Sequence, residues 1–553
     1  MVCPPFLLSL RKIWRSALIG GGVALLLALV GMVGTFHSRS VINNVVSVGQ
    51  VLFLFPVWYA TYVSLRQMSE ERKKVLIASL TAGIVGSLPL VLLLLIGAGI
   101  NLRAMFVNAS PALYKILTFG QNLWPGVLVL IVVSALVTLT AGLLLQLSSR
   151  WQRALIQGFL WLFIAGLMRD LILTVTNRWG PLAGVVQFFF AANGLTPLGA
   201  VLLLAIVIGL AFRPRRQVES QPVNSRARWM VLGGIALIFL FLPQILGPFF
   251  SEILDNVMMY ILMGLGLNIV VGYAGLLDLG YVAFFAIGAY TMGILTSPEL
   301  NAHPLTYWQA LPFAMVIAMI SGVILGLPVL KLRGDYLAIV TLGFGEIVRL
   351  LVLSDWLRPL LGGTQGIQLI AQPKIGNLTL QSQVQLYYLF LAWVFVVVFI
   401  AWRLKDSRLG RSWMALREDE DVARAMGINH VTTKLLAFAT GALFSGISGT
   451  IFAAKLTSVY PHSMNFLVSI NVLALLILGG MGSIPGVFVG ALVLIGAPEL
   501  LREFAEYRYL VYGALLVAMM LYRPEGLWPE ERRKLELHEE EFVESTSVAA
   551  ETE

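Results

Sequence analysis

Residues 403–435 read RLKDSRLGRSWMALREDEDVARAMGINHVTTKL and separate two long apolar runs. This polar segment holds seven Lys and Arg residues and five Asp and Glu residues. So many charges are costly inside a hydrocarbon core, and the apolar runs end at both edges of the segment. We therefore expect the segment to lie in water at one face of a membrane, between two membrane-spanning helices.

A short helix is predicted in the middle of the polar segment. The acidic run 418–421, which begins with Glu418 and ends with Asp421, suits the positive N-terminal end of a helix. Ala423 and its neighbours favour helix, and Gly427 provides a stop. Two interpretations follow: an ordinary solvated loop helix, or a helix that a soluble partner protein binds.

The composition is that of an all-α integral membrane protein. Of 553 residues, 58% are hydrophobic and only 12% are charged, whereas globular domains average about 25% charged residues. Repeated runs of ~20 apolar residues predict a polytopic helical bundle and not a barrel. The net charge of +9 is interpreted as loop charge that sets orientation and not as a nucleic-acid-binding surface.

Basic loops predict a module of six spans over residues 1–212, with both of its ends in the cytoplasm. These spans are expected near 17–36, 45–65, 75–99, 124–147, 154–175 and 185–212. A basic cytoplasmic linker is predicted at 213–228, and a charged cytoplasmic tail at 529–553.

Ten spans are predicted in the remaining part, residues 229–528, where glycines recur within the apolar runs. They are expected near 229–247, 253–271, 279–296, 309–330, 336–353, 384–402, 435–455, 467–480, 484–500 and 509–522. Gly479, Gly480 and Gly482 interrupt the pair at 467–500. A re-entrant turn is therefore an alternative to two complete spans there.

Five stretches of this second part form long motif strings: GLGLNIVVGYAGLLDLGYVAFFAIGAY at 264–290, LRGDYLAIVTLGFGEIVRLL at 332–351, GGTQGI at 362–367, LGGMGSIPGVFVGA at 478–491 and YRPEGL at 522–527. Together they resemble the LivM-type permeases of branched-chain amino acid ABC importers. Residues 421–427, DVARAMG, are similar to the cytoplasmic coupling loop of bacterial ABC importer permeases. The resemblance covers about residues 253–528.

The resemblance implies a permease subunit of the bacterial inner membrane that imports leucine, isoleucine and valine. It also implies four kinds of partner: a second homologous permease, two ATP-binding cassette subunits, a periplasmic or extracellular substrate-binding protein, and membrane lipid. In such importers the helix near 418–427 couples the permease to the ATPase. A related class carries urea, short amides or other small polar solutes, so these substrates are the alternative.

Candidate pathway and packing residues cluster in the resembling stretches. Glycines at 264, 272 and 275 allow close helix packing or a bend, and interrupted helices line pathways in transporters. Glu346 and Arg349 share one face of a predicted span, and a structural ion pair is favoured over a pathway role. The remaining candidates are Asn268, Asp278, Asp335, Gly362, Gly363, Gly479, Gly480 and Gly482.

The sequence lacks the residues that several other classes of protein require. The sequence has no Gly-Lys dipeptide, so it has no Walker A phosphate loop, and ATP hydrolysis would belong to partner subunits. A single cysteine and five scattered histidines predict neither a metal site nor a cofactor or catalytic residue. An ion-coupled secondary transporter and a non-transporting membrane scaffold remain rival interpretations.

Overall fold

The computed structural model describes residues 5–67, 72–176, 181–212, 239–330, 332 and 334–500, together with scattered positions between 507 and 529. The chain divides into two units, Met1–Pro222 and Val223–Glu553. The predicted linker at 213–228 and nearly all of the predicted tail lie outside the described residues.

The first unit is a helical bundle with one small hairpin. Strands β1 (Ser40–Ile42) and β2 (Val46–Ser47) pair antiparallel. A capping box starts the next helix, because Ser47 and Gln50 each accept the other's backbone N–H. The helices are α1 (Pro5–Val30), α2 (Met32–Thr35), α3 (Val48–Arg66), α4 (Arg72–Gly99), α5 (Pro111–Leu117), α6 (Leu123–Gln146), α7 (Ser149–Leu167), α8 (Arg169–Thr176), α9 (Pro181–Phe189) and α10 (Pro197–Ala211).

The predicted span at 154–175 is wrong in one respect, because the chain breaks there into α7 and α8. Arg39 donates to the carbonyl of Leu167 at 3.0 Å and pairs with Asp170 at 2.8 Å. Arg169 donates to the carbonyl of Ala191 at 2.7 Å. These charged contacts lie at and beside the junction of the two helices. The predicted span at 185–212 is likewise two helices, α9 and α10, because Thr196 caps the second one by accepting the N–H of Gly199 at 3.0 Å.

The second unit is a larger bundle around one apolar core. Residues 239–246 are helical. The named helices are α11 (Pro248–Leu267), α12 (Val282–Thr296), α13 (Tyr307–Val329), α14 (Asp335–Leu353), α15 (Arg358–Leu361), α16 (Gln383–Lys405), α17 (Arg408–Glu418), α18 (Glu420–Ala425), α19 (His430–Leu456), α20 (Phe466–Gly479), α21 (Ile484–Ala491) and α22 (Ala497–Leu500). Two π-helical turns follow α11 and α21, at Asn268–Tyr273 and Leu492–Gly496. Strands β3 (Lys374–Ile375) and β4 (Leu378–Thr379) form a hairpin before α16.

Helices α11 and α19 lie at the centre of this unit. In the 18-residue apolar window of each, most residues are buried, 83% within Pro248–Tyr273 and 72% within His430–Leu456. They pack against each other, and α12 and α13 pack against α19. Small residues permit the contact, since a Cβ on Gly322 of α13 would lie 2.7 Å from the Cβ of Ala442.

The two ends of this unit differ in character. One end carries the polar segment. Helix α16 ends there at Lys405, and α19 begins there at His430. The opposite end carries the β3–β4 hairpin and an isolated antiparallel bridge between Ile367 and Val459. We call these the polar-segment end and the hairpin end.

The helical membrane fold predicted from the sequence is confirmed, since the described residues are mostly helical apart from two short hairpins. Among the described residues, ten helices are long and apolar enough to cross a membrane, four in the first unit and six in the second. Three shorter apolar helices, at Pro197–Ala211, Val282–Thr296 and Ile484–Gly496, accompany them. The chain is therefore a multi-pass membrane protein.

Candidate functional site

The polar segment folds as two consecutive short helices, α17 and α18. Asp419 separates them with extended backbone, φ −153°, and its carboxylate accepts the N–H groups of Asp421 at 2.8 Å and Val422 at 3.0 Å. This cap starts α18. The prediction that Glu418 lies at the start of the short helix is therefore corrected, because Glu418 is the last residue of α17.

Helix α18 has an inner and an outer side. Ala423 is buried at 3% exposure, so it packs within the chain. Val422 and Met426 are exposed at 58% and 79%, and Asp421 is exposed beside them. Gly427 has φ 87°, a left-handed conformation that ends the helix. The exposed residues here thus include one carboxylate, the Arg424 guanidinium and two large apolar side chains.

Two charged contacts tie the polar segment to the membrane-spanning helices. Arg417 donates from Nη1 to the carbonyl of Gly272 at 2.7 Å. Lys434, whose side chain is only 3% exposed, donates to Glu420 at 2.7 Å and to the carbonyl of Leu330 at 3.4 Å. A displacement of α17 or α18 therefore acts directly on the ends of α11, α13 and α19.

The π-helical turn after α11 is the point where Arg417 attaches. Asn268, which begins the turn, is buried and accepts the N–H of Gly482 at 2.8 Å. A Cβ on Gly272 would lie 2.8 Å from the nitrogen of Gly482. Gly275 has φ 69°, and a Cβ there would lie 2.9 Å from Cγ of Arg417. These glycines make room for the polar segment and for the 480–483 turn.

Asp278 follows this turn and is fully buried. Its Oδ1 accepts the N–H of Gly280 at 2.9 Å. Asn268 and Asp278 thus both accept hydrogen bonds from backbone N–H groups.

The Gly479, Gly480 and Gly482 turn joins two antiparallel helices at the polar-segment end. Gly480 and Gly482 have φ 116° and 84°, which L side chains rarely adopt. The end of the YRPEGL stretch closes over it, since the backbone N–H groups of Leu527 and Trp528 donate to the carbonyls of Leu478 and Gly479, both at 2.8 Å. Gly264 packs nearby, where a Cβ would lie 2.8 Å from Leu475.

The other sequence candidates lie apart from this assembly. Gly362 and Gly363, with φ 75° and 59°, form a tight loop before the bridge at the hairpin end. Asp335 is exposed in the first turn of α14. Glu346 and Arg349 pair with each other on the same helix, and both side chains are partly exposed.

Two charged residues with structural roles were missed in the sequence. Lys434 stands at the start of an apolar run, where a lysine normally extends to water, yet its ammonium is buried against Glu420. Asp255 lies within the span Pro248–Tyr273, fully buried, with Lys455 at 3.8 Å. A carboxylate inside an apolar run was the available signal for the second residue.

Comparison with known proteins gives a consistent result. The family described as the permease component of branched-chain amino acid transport systems matches residues 249–520. The high-affinity branched-chain amino acid transport system permease protein LivM of Salmonella typhimurium is 43% identical over 309 residues, which cover 52% of this chain and 71% of that protein. LivM of Escherichia coli gives the same identity and the same coverage. LivH of S. typhimurium, a permease protein named for the same kind of system, is 24% identical over 48% of this chain and 90% of its own length. No solved structure matches.

These matches define the class as the membrane permease of an ABC transporter, and such permeases are not the ATPase subunit. The chain belongs to the family of branched-chain amino acid transport system permeases, with the matching region in its second half after additional N-terminal helices. The predicted family and the prediction that the chain is not itself an enzyme are confirmed.

Proposed function

We propose that this chain forms one half of the translocation pathway of an importer for leucine, isoleucine and valine. A second, homologous permease supplies the other half, since relatives named as two permease proteins of one kind of transport system both match the same region. The 43% identity to LivM permeases of the high-affinity branched-chain system is the observation that carries the choice of substrate.

The polar segment is the contact with a separate ATP-binding subunit. Its outer side presents Asp421, Val422 and Met426 to solvent, and exposed apolar side chains beside a charge suit a protein partner. On this proposal the polar-segment end is cytoplasmic, as are both termini, and a binding protein delivers the amino acid at the hairpin end. The membrane is the bacterial inner membrane.

Transport couples to ATP through the contacts that Arg417 and Lys434 make. Closure of the ATP-binding subunits moves α17 and α18, Arg417 transmits that motion to the π-helical turn, and Lys434 transmits it to the ends of α13 and α19. A partner can shift the permease between outward-open and inward-open states only if its contacts differ between them. The outer side of α18 is where we place those contacts.

Reconstitution of the complete transporter in vesicles tests this function. Radiolabelled leucine should accumulate only when both permeases, the ATP-binding subunits, the binding protein and ATP are present. Uptake by the permeases without the ATPase would instead support an ion-coupled secondary transporter. Uptake of urea or short amides, with none of leucine, would support the alternative substrate class.

The orientation is tested separately by cysteine labelling. The single native cysteine is first replaced, and a cysteine is then introduced at the position of Met426, which is exposed at 79%. A membrane-impermeant maleimide added to intact cells should not label this position and should label it in inverted vesicles. Labelling in intact cells would place the polar segment on the outer face and would contradict the coupling role.

A further inference from the structure

Helix α14 is the least buried of the spanning helices in the described part of the chain. In its 18-residue apolar window only 28% of residues are buried, against 33% or more in each of the other nine spans. Its buried residues are Leu337, Ala338, Thr341 and Val352, and the first three lie in its first two turns. A helix that is held mainly at one end can change its tilt with little loss of buried contact along the rest of its length.

The loop 274–281, which joins the π-helical turn to α12, packs against the held end of α14. Leu279 donates its N–H to Oγ1 of Thr341 at 3.0 Å. A Cβ on Gly280 would collide with the carbonyl oxygen of Thr341 and would lie 3.2 Å from the nitrogen of Gly345. The backbones of the loop and the helix therefore touch directly, which the absence of a side chain at Gly280 permits.

The same loop is fixed in shape and anchored at its far end. Asp278 is buried, and its Oδ1 accepts the N–H of Gly280 at 2.9 Å. The hydroxyl of Tyr281 donates to the carbonyl of Gly441 in α19 at 2.7 Å, and the first N–H of α12 donates to Oγ of Ser469 in α20 at 2.9 Å. A displacement of the start of the loop thus makes it pivot about Tyr281.

The polar segment contacts α14 indirectly at two points. Arg417 donates to the carbonyl of Gly272 and packs on Gly275, where a Cβ would lie 2.9 Å from Cγ of the arginine. Lys434 donates to the carbonyl of Leu330 at 3.4 Å, where the chain leaves α13 and turns toward α14. One contact reaches α14 through the loop, and the other reaches it through the α13–α14 connection.

We propose that Asp278, Gly280 and Thr341 are positioning residues that transmit a displacement of the polar segment to α14, and that α14 tilts when the permease switches state. Arg417 shifts the start of the loop, the loop pivots about Tyr281, and its contact at Thr341 moves α14. Asp278 keeps the loop in the conformation that makes this contact. The inference rests on the proposed function and adds which spanning helix moves and which residues move it.

Variants of the loop contact test these residues in the complete reconstituted transporter. Thr341→Val leaves the N–H of Leu279 without its acceptor, and Gly280→Ala forces the loop away from α14. Each should lower the ratio of leucine imported to ATP hydrolysed by about tenfold, with ATP hydrolysis within about twofold of wild type. Thr341→Ser, which keeps the hydroxyl, should recover most of the ratio. Gly343→Ala is the matched control and should equal wild type, because its added Cβ meets nothing within 4 Å. A wild-type ratio in Thr341→Val or in Gly280→Ala would overturn the role of the contact.

A distance measurement tests the movement itself and needs no altered contact. The single native cysteine is replaced, and spin labels are attached through Ile339→Cys on α14 and Ile324→Cys on α13, at positions that are 63% and 57% exposed. Double electron–electron resonance should give different distances for the nucleotide-free complex and the complex trapped with ATP and vanadate, and Thr341→Val should abolish the difference. A control pair on α13 and α19, Val316→Cys with Leu456→Cys, should keep its distance. An unchanged distance between α13 and α14 in the wild-type background would overturn the proposal, even if Thr341→Val or Gly280→Ala failed to fold.

The two measurements separate this inference from the proposed function. If the transporter accumulates leucine and α14 does not move, only the role of α14 is wrong. If α14 moves with ATP and no leucine accumulates, the proposed substrate is wrong and the role of α14 stands. If a complex that hydrolyses ATP shows neither leucine uptake nor movement of α14, both are wrong.

Discussion

Nη1 of Arg417 lies 2.7 Å from the carbonyl oxygen of Gly272, and this contact joins the polar segment to the π-helical turn that ends α11. π-Helical turns leave backbone groups outside the regular helical pattern and occur often at functional sites. The guanidinium uses such a group as its acceptor. The side chain of Arg417 can pass there because Gly275, with φ 69°, has no Cβ.

Loss of this contact should uncouple ATP hydrolysis from transport. We expect Arg417→Gln to lower leucine uptake about tenfold while ATP hydrolysis by the complex remains within about twofold, since a lost charged hydrogen bond is worth roughly 1.5–3 kcal/mol. The measurement is the ratio of leucine imported to ATP hydrolysed. Arg417→Lys, which keeps the charge, should recover part of the uptake, and an unchanged ratio in Arg417→Gln would argue against transmission through Gly272.

Changes on the outer side of α18 should act at the ATPase contact. Asp421→Arg and Gly427→Pro are expected to abolish uptake and leave membrane insertion intact, because one reverses the exposed charge and the other alters the end of the helix. Gly427 has φ 87°, which proline cannot adopt. Insertion is measured by membrane fractionation, and docking by co-purification of the ATP-binding subunit.

A charge reversal at the hairpin end is the control for this prediction. Asp355 is exposed there, beyond the end of α14. Asp355→Arg should leave the ATP-binding subunit attached to the permease. Normal transport by Asp421→Arg would count against the assignment of α18.

The buried contact between Lys434 and Glu420 should contribute to stability. Removing one partner of a buried ion pair typically costs about 3–5 kcal/mol, because the other charge is left without compensation. Glu420→Gln should therefore lower the thermal unfolding midpoint of the purified chain markedly, since it leaves the buried Lys434 ammonium without its carboxylate. The double variant Lys434→Met with Glu420→Gln should lie closer to wild type, as a double-mutant cycle would show. Additive losses would mean that the two side chains do not interact.

At the hairpin end, substitution of Lys455 and substitution of Asp255 should lower the stability of the chain by unequal amounts. Asp255 is fully buried, and neither carboxylate oxygen accepts a hydrogen bond within the described part of the chain. Lys455 is 12% exposed and also donates to Asn256 at 3.0 Å. Lys455→Met should thus destabilise more than Asp255→Asn, by a few kcal/mol. The reverse order in thermal unfolding would contradict this account of the pair.

Gly480 should tolerate no side chain. Its φ is 116°, and an added Cβ would lie 3.0 Å from the carbonyl oxygen of Trp528. Gly480→Ala is expected to cost about 1–2 kcal/mol from backbone strain alone, with a further loss from displacement of the YRPEGL stretch. Gly343→Ala is the control and should be neutral in the same unfolding measurement. Equal stability of the two variants would show that the turn adapts.

Much of the fold could be predicted because a membrane imposes simple rules on sequence. Apolar runs of spanning length predicted the helices, and the charges at 403–435 predicted the polar segment between α16 and α19. Predictions failed where individual contacts between distant parts of the chain decide. Arg39 contacts the junction at Leu167 and Asp170, and the carbonyl of Val41 accepts the N–H of Leu195 next to Thr196. The start of α18 depends on Asp419, one of four consecutive acidic residues that the sequence does not distinguish.

The sequence by itself determined the class of protein, the family and the position of the polar segment, because hydropathy, charge and motif strings are local properties. Tertiary structure alone decided which groups meet: Arg417 with Gly272, Lys434 with Glu420, and Asn268 with Gly482. These contacts join different helices or turns. They depend on how the helices pack and not on the period of any one helix.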